Sequence, residues 1–272
     1  MSTSEIAVVV GVALLAGCAT GIGAIPTLYA ERVSHRVYDS AVGFAAGIMI
    51  GAAVFALIVP GLEYGSPIEI VVGLALGTLF LLVVNAWLPH LHLDDPDEPN
   101  QPLEGTGLLR TDGVNGQRLA VEDDMRRALL VGSAVTIHNV PEGLAVGIAF
   151  GSGEAGLGFA IATAIAVQNV PDGFAMAVPA SRAGISDAKT LLYTTLSGGV
   201  PEPIAAAIGF SLVAIVTGLF PVAAGFAAGA MIAVVFRELI PSSHGHGYAD
   251  TATATFVAGF AVMLVVDTVL AV

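Results

Sequence analysis

Charge is what this sequence has least of. Asp, Glu, Lys and Arg make up 11% of its 272 residues, where a soluble domain carries about 25%. Apolar side chains account for 56%, which excludes an ordinary soluble enzyme and points to a membrane protein. Lysine is almost missing: Lys189 stands alone beside eight arginines and 22 acidic residues. A formal charge of −13 excludes a nucleic-acid binder, which needs a basic face. The single cysteine, Cys18, lies in an apolar stretch and permits no intrachain disulfide. The opening MSTSEIAVVV has no basic n-region, so it reads as the start of a first span and not as a cleaved signal peptide.

What is present is a series of apolar stretches, each close to the roughly 20 residues needed to cross hydrocarbon. We place eight, at residues 5–29, 39–62, 68–89, 128–151, 155–180, 188–217, 221–241 and 251–272. The expected fold is all-α: eight transmembrane helices forming a single domain over residues 1–272. Residues 90–127 contain DDPDEPNQP and too few large apolar side chains to build a core, so they read as a mobile loop. That loop opens on His90, His92, Asp94 and Asp95. Basic residues set the orientation. All nine fall at odd-numbered connections or the span ends beside them: Arg32 and Arg36, then Arg110, Arg118, Arg126 and Arg127, then Arg182 and Lys189, then Arg237. This puts both termini outside and the 90–127 loop in the cytoplasm.

The polar residues inside the spans carry the chemistry. Residues 135–147 read VTIHNVPEGLAVG, residues 166–178 read AVQNVPDGFAMAV, and residues 197–206 read SGGVPEPIAA. Glu142, Asp172 and Glu202 thus recur at intervals of 30 residues, each directly after a proline. A charge in the centre of a membrane span costs about 3 kcal/mol on insertion scales, so such residues are functional candidates by default. His138 and Glu142, four apart, share one helix face. Pro141, Pro171 and Pro201 should kink their helices and free the carbonyls of Ile137, Val167 and Ser197. Helices 4 and 5 run in opposite directions with central motifs, so the motifs can meet near the midplane and form a metal site. Its ligands would be His138, the carboxylates of Glu142, Asp172 and Glu202, and the amides of Asn139, Gln168 and Asn169. Imidazole mixed with carboxylate suits divalent first-row metals, with Zn2+ the commonest fit. The alternative is that these groups merely hydrogen-bond helices together, but that leaves their negative charge uncompensated. Met49, in AAGIMIGAA, is a soft ligand or simply core.

HNVPEG followed by QNVPDG, in eight spans with a histidine-bearing loop after the third, resembles the ZIP family of divalent-metal transporters, in particular its GufA-like prokaryotic branch. The resemblance covers the whole chain. It implies uptake of a divalent metal across the cell membrane into the cytoplasm, with Zn2+ the leading substrate and Fe2+, Mn2+, Co2+ and Cd2+ as others, and no resident cofactor. It implies a binuclear centre, one metal on Met49, His138, Glu142, Gln168 and Asp172, the other on Asn139, Glu142, Asn169, Asp172 and Glu202. It further implies a homodimer and an elevator-like movement of spans 1, 4, 5 and 6 against the rest. The chain departs from the family at Asp172, usually Glu; at Asn169, where some members have Asp; and at Arg237-Glu238, where an acid or His often precedes the Glu. His244 and His246 are candidate exit ligands, and His90 and His92 candidate loop ligands. Two other readings use the same residues. One is an intramembrane metallo-enzyme, disfavoured because there is no H-E-x-x-H and no general base not already needed as a ligand. The other is a proton or sodium pathway, disfavoured by His138.

Overall fold

In hydrocarbon each backbone N–H and C=O must be satisfied within its own segment, so apolar stretches of this length fold as helices. The computed structural model describes residues 3–29, 33–87, 116–216 and 218–270, and its described residues contain no strand. Eight helices are long and apolar enough to cross a membrane. We name them α1 (Thr3–Tyr29), α2 (His35–Tyr64), α3 (Pro67–Trp87), α4 (Gly116–Gly151), α5 (Ala155–Arg182), α6 (Asp187–Ile215), α7 (Phe220–His244) and α8 (Ala249–Leu270). The chain is a multi-pass membrane protein.

Helix boundaries follow from local chemistry. Ser34 opens α2 by accepting from the Val37 N–H. Ser66 and Glu69 form a capping box ahead of α3, the Glu69 carboxylate accepting from the Ser66 N–H at 2.6 Å and the Ser66 hydroxyl accepting from the Glu69 N–H at 3.4 Å. The tight connections after α4 and α5 turn at Gly153 (φ +91°) and Gly184 (φ +76°), conformations that L side chains resist. Apolar periodicity starts the fourth span at Ala128, but the helix begins at Gly116, because the intervening sequence after Gly116, QRLAVEDDMRR, is rich in helix formers and free of breakers. The membrane-length part remains Ala128–Gly151. His90, His92 and the rest of residues 88–115 lie outside the described residues.

Proline acts differently at different positions. α4 and α5 continue as unbroken helices through Pro141 and Pro171. α6 is interrupted at Val200, between Asp187–Gly199 and Pro201–Ile215. Two stretches of wider, π-type turns also occur, Ala52–Ile58 in α2 and Val235–Leu239 in α7. Each ends just before a proline, Pro60 or Pro241, which has no N–H to continue the ladder and crowds the carbonyl four residues earlier.

The helices pack as two sets. α1 lies against α5 and α6, and α4 against α5 and α6; α2 lies against α8, and α3 against α7. Glycines make these contacts close. Gly23 and Gly173 join α1 to α5, Gly17 and Gly198 join α1 to α6, Gly143 and Gly147 join α4 to α6, Gly43 and Gly47 join α2 to α8, and Gly73 and Gly77 join α3 to α7. At each of these a Cβ would collide with backbone of the facing helix. Every one of these glycine-to-backbone seams falls inside α1–α4–α5–α6 or inside α2–α3–α7–α8. Between the sets the main contacts are α2 on α5 and α4 on α7. Polar links between the sets include Tyr64 Oη donating to Glu154 at 3.4 Å at one end and Arg182 Nη2 donating to the Val33 carbonyl at 3.4 Å at the other. These pairings bring the α2–α3 and α4–α5 connections to one end and the α1–α2 and α5–α6 connections to the opposite end, as eight consecutive crossings require.

Candidate metal centre

The N-V-P-acid-G motif does the same two things in α4 and in α5. Its asparagine donates to the backbone of a neighbouring helix: Asn139 Nδ2 to the Ser197 carbonyl of α6 at 2.8 Å, Asn169 Nδ2 to the Ala16 carbonyl of α1 at 2.9 Å. Ser197 is the residue whose carbonyl Pro201 leaves without its helical partner. The proline and carboxylate follow. The glycine then lets the helix sit directly on its neighbour, Gly143 on the backbone of Glu202 and Gly173 on that of Thr20. α4 is thus locked to α6 and α5 to α1 by matching contacts, and Gly143 brings Glu142 beside Glu202.

Seven of the eight predicted residues are held together. His138 is 3% exposed, Asp172 2%, and Asn139, Glu142, Gln168, Asn169 and Glu202 are 0% exposed. Gln168 Nε2 donates to Glu142 Oε1, and Asn169 Nδ2 donates to Glu202 Oε1 at 2.7 Å. Asp172 lies within electrostatic reach of Glu142, Glu202 and His138. Met49 is buried at 1% exposure on α2, which packs against α5. Among the described residues no three His, Cys, Asp or Glu side chains are already closed into a metal-ligand cluster. Glu142 and Glu202 instead each accept from an amide N–H.

The pattern of unmet hydrogen bonds is specific. The N–H2 groups of Asn139 and Asn169 face backbone carbonyls, which can only accept, so their amide oxygens are fixed pointing the other way. Asn139 Oδ1, Glu142 Oε2, Gln168 Oε1, Asn169 Oδ1, Asp172 Oδ2, Glu202 Oε2 and His138 Nε2 are all buried with no hydrogen-bond partner. All six oxygens are acceptors. A buried acceptor without a donor is costly, and most buried polar groups are satisfied. No Lys or Arg among the described residues pairs with these three carboxylates. Six unpartnered acceptor oxygens and one imidazole gathered in one buried cluster are the kind of donor set that can hold a cation.

Sequence reasoning noted Arg237-Glu238 as a departure from the family at the end of α7 but gave Glu238 no place beside His138. Its Oε2 stands 3.3 Å from His138 Nδ1, across the boundary between the two helix sets. The signal was there, a carboxylate one turn before Pro241 in an apolar span, but its partner lies 100 residues away in sequence. Of the exit candidates, His246 Nδ1 lies 2.7 Å from Asp39 Oδ1, and His244 Nδ1 lies 3.0 Å from the Ile240 carbonyl.

Fold and site define a polytopic membrane protein with a buried cluster of three carboxylates, three amides and one imidazole between its central helices. The profile of the ZIP zinc transporter family matches residues 111–267, and the chain belongs to that family. The zinc transporter GufA of Myxococcus xanthus is 34% identical over 263 residues, covering 93% of this chain and 95% of the relative. The zinc transporter ZIPB of Bordetella bronchiseptica is 35% identical over 281 residues, covering 98% and 84%. The human zinc transporter ZIP11 is 31% identical over 318 residues, covering 91% and 93%.

Proposed function

We propose that this protein carries a divalent transition metal, zinc foremost, across the cell membrane into the cytoplasm through a binuclear site between α4, α5 and α6. The observation that carries the reading is the set of six buried acceptor oxygens with no donor, beside the unpartnered His138 Nε2. The family relatives, named zinc transporters, support the choice of substrate. Met49, His138, Glu142, Gln168 and Asp172 hold the first ion, and Asn139, Glu142, Asn169, Asp172 and Glu202 the second. Glu142 and Asp172 bridge. Both termini face outside, which places the basic ends of α2, α4, α5, α6 and α7 in the cytoplasm. The protein works as a homodimer in which α1, α4, α5 and α6 move against the rest. The glycine seams that hold each set together, with none of them bridging the two, support that division.

The test is zinc uptake by the purified protein in proteoliposomes. Uptake that saturates with zinc and is absent from empty vesicles supports the reading; none under a zinc gradient, by a protein shown to be folded and inserted, refutes it. In the same assay His138→Ala should lower uptake by at least about tenfold, since it removes the one nitrogen ligand. Uptake within a factor of two of wild type would take His138 out of the site.

Asp172 sets the balance between the two ions. Aspartate is one methylene shorter than glutamate, about 1.5 Å of reach, while zinc–oxygen bonds vary by only about 0.2 Å. The second ion should therefore bind more weakly than the first, and Asp172→Glu should tighten it. Zinc titration of both proteins checks this. Two equally tight sites in the wild type, unchanged by the substitution, would contradict it.

A further inference from the structure

At the end that carries the α1–α2 and α5–α6 connections, two exposed arginines stand where an apolar strip of α1 stops. Ile22, Ile25 and Tyr29 share one face of α1 and are 53%, 43% and 86% exposed, so the strip runs to the last residue of that helix. Val37, in the first turn of α2, is 54% exposed beside Arg36, which is itself exposed. Arg182, in the last turn of α5, is exposed and donates to the Val33 carbonyl at 3.4 Å, which brings its guanidinium to the start of α2. Neither guanidinium is satisfied. Arg182 uses one of its several N–H donors, in a long bond, and Arg36 makes no side-chain hydrogen bond among the described residues. No arginine or lysine among the described residues forms an ion pair with a carboxylate. Residues 31–36 and 182–189 carry Arg32, Arg36, Arg182 and Lys189 against Glu31 and Asp187, a local positive excess in a chain of net charge −13.

We propose that this corner binds an anionic phospholipid, its phosphate between Arg36 and Arg182 and its acyl chains along Ile22, Ile25 and Tyr29 of α1. The two halves of the site match the two halves of such a lipid. Guanidinium N–H groups meet phosphate oxygens in pairs, and the exposed apolar face of α1 leads from them into the hydrocarbon. Tyr29, at the helix end, sits at headgroup level, where rings with a polar tip settle. A zwitterionic headgroup brings its own ammonium, which two arginines repel; an anionic one does not. Basic pockets between membrane helices are known to take anionic headgroups. The bland reading is a diffuse positive surface of the kind that sets topology. Against it, the two guanidiniums come from helices of different sets and converge on one connection, with no carboxylate paired to either. The lipid would join α5 to α2 across the boundary between the sets, at the end opposite the Tyr64–Glu154 link. On the transport reading it braces the moving set against the other; binding itself does not depend on that reading.

The test is thermal unfolding of the full-length protein in neutral detergent, titrated with phosphatidylglycerol, with phosphatidylcholine of the same acyl chains, and with inorganic phosphate. A ligand that binds the folded state raises Tm with its occupancy. Phosphatidylglycerol should raise Tm saturably, and the other two should not. Arg36→Gln and Arg182→Gln, both exposed changes, should each weaken the apparent phosphatidylglycerol affinity by about fivefold, with the protein still monodisperse. Arg237→Gln, which removes one exposed positive charge from α7, should leave that affinity unchanged. An equal rise with phosphatidylcholine would make the corner ordinary lipid-facing surface, and an equal rise with phosphate alone would make it a free-anion site; either overturns the proposal. Wild-type affinity in both arginine variants, or an equal loss in Arg237→Gln, would leave only a diffuse surface charge and overturn it too. Because these are binding measurements, their failure leaves the uptake assay to judge transport separately.

Discussion

Glu142→Ala should abolish zinc uptake while the protein inserts and folds. Glu142 is 0% exposed and one of its oxygens has no hydrogen-bond partner. It stands at the contact between α4 and α6, next to the glycine that seats α4 on the backbone of Glu202. On the proposed assignment it bridges both ions, so its loss would remove a ligand from each. Removing one of three clustered carboxylates relieves their repulsion but leaves the buried Gln168 Nε2 without its acceptor, so the empty protein should stay folded at close to wild-type stability. That separates a ligand from a structural residue. Zinc uptake and thermal unfolding of the same preparation check both halves. Uptake at the wild-type rate, or loss of the folded protein with no specific effect on uptake, would remove Glu142 from its assigned role.

Gly173→Ala should be among the most damaging single methyl groups that can be added to this chain. A Cβ at Gly173 would lie far inside van der Waals contact with the Thr20 carbonyl oxygen, with the Thr20 carbonyl carbon and Cα next in its path. These are backbone atoms of α1 and cannot rotate aside. α1 and α5 must separate, which also stretches the Asn169 bond to the Ala16 carbonyl. Overpacking a core usually costs about 1–3 kcal/mol, and a collision with fixed backbone belongs at or above the upper end. Gly11→Ala is the internal control. Nothing lies within 4 Å of a Cβ there, and alanine in a helix gains about 0.5–1 kcal/mol over glycine. Melting curves in detergent should show Gly173→Ala strongly destabilised and Gly11→Ala unchanged or improved. Equal melting temperatures for the two would show that α1 and α5 do not approach this closely.

The eight spans were legible because bilayer thickness fixes their length, and apolar runs of that length have few other uses. The central motif was legible because carboxylates and a histidine in a membrane span are too costly to be incidental. What pattern could not give was the partner of each group. Asn139 and Asn169 look alike in sequence, yet one addresses α6 and the other α1. The motif glycines read as generic small residues, and only the packing shows that each falls where two backbones touch. The π-type turns before Pro60 and Pro241 escaped because no residue pattern there separates a π turn from an α turn. The pairings of Glu238 and Asp39 escaped for one reason: each is a single acid whose partner, His138 or His246, is 100 or 207 residues away.

Anomalous X-ray scattering at the zinc edge, from crystals of the protein grown with zinc, locates the ion without reference to activity. Zinc bound between α4 and α5, with a nitrogen from His138 and oxygens from Glu142 and Asp172 at about 2.0–2.2 Å, is the expected result. A second, weaker peak should lie beside Asn139, Asn169 and Glu202. Zinc confined to surface histidines, with none between the two N-V-P motifs, would contradict the assignment of this cluster as the metal centre.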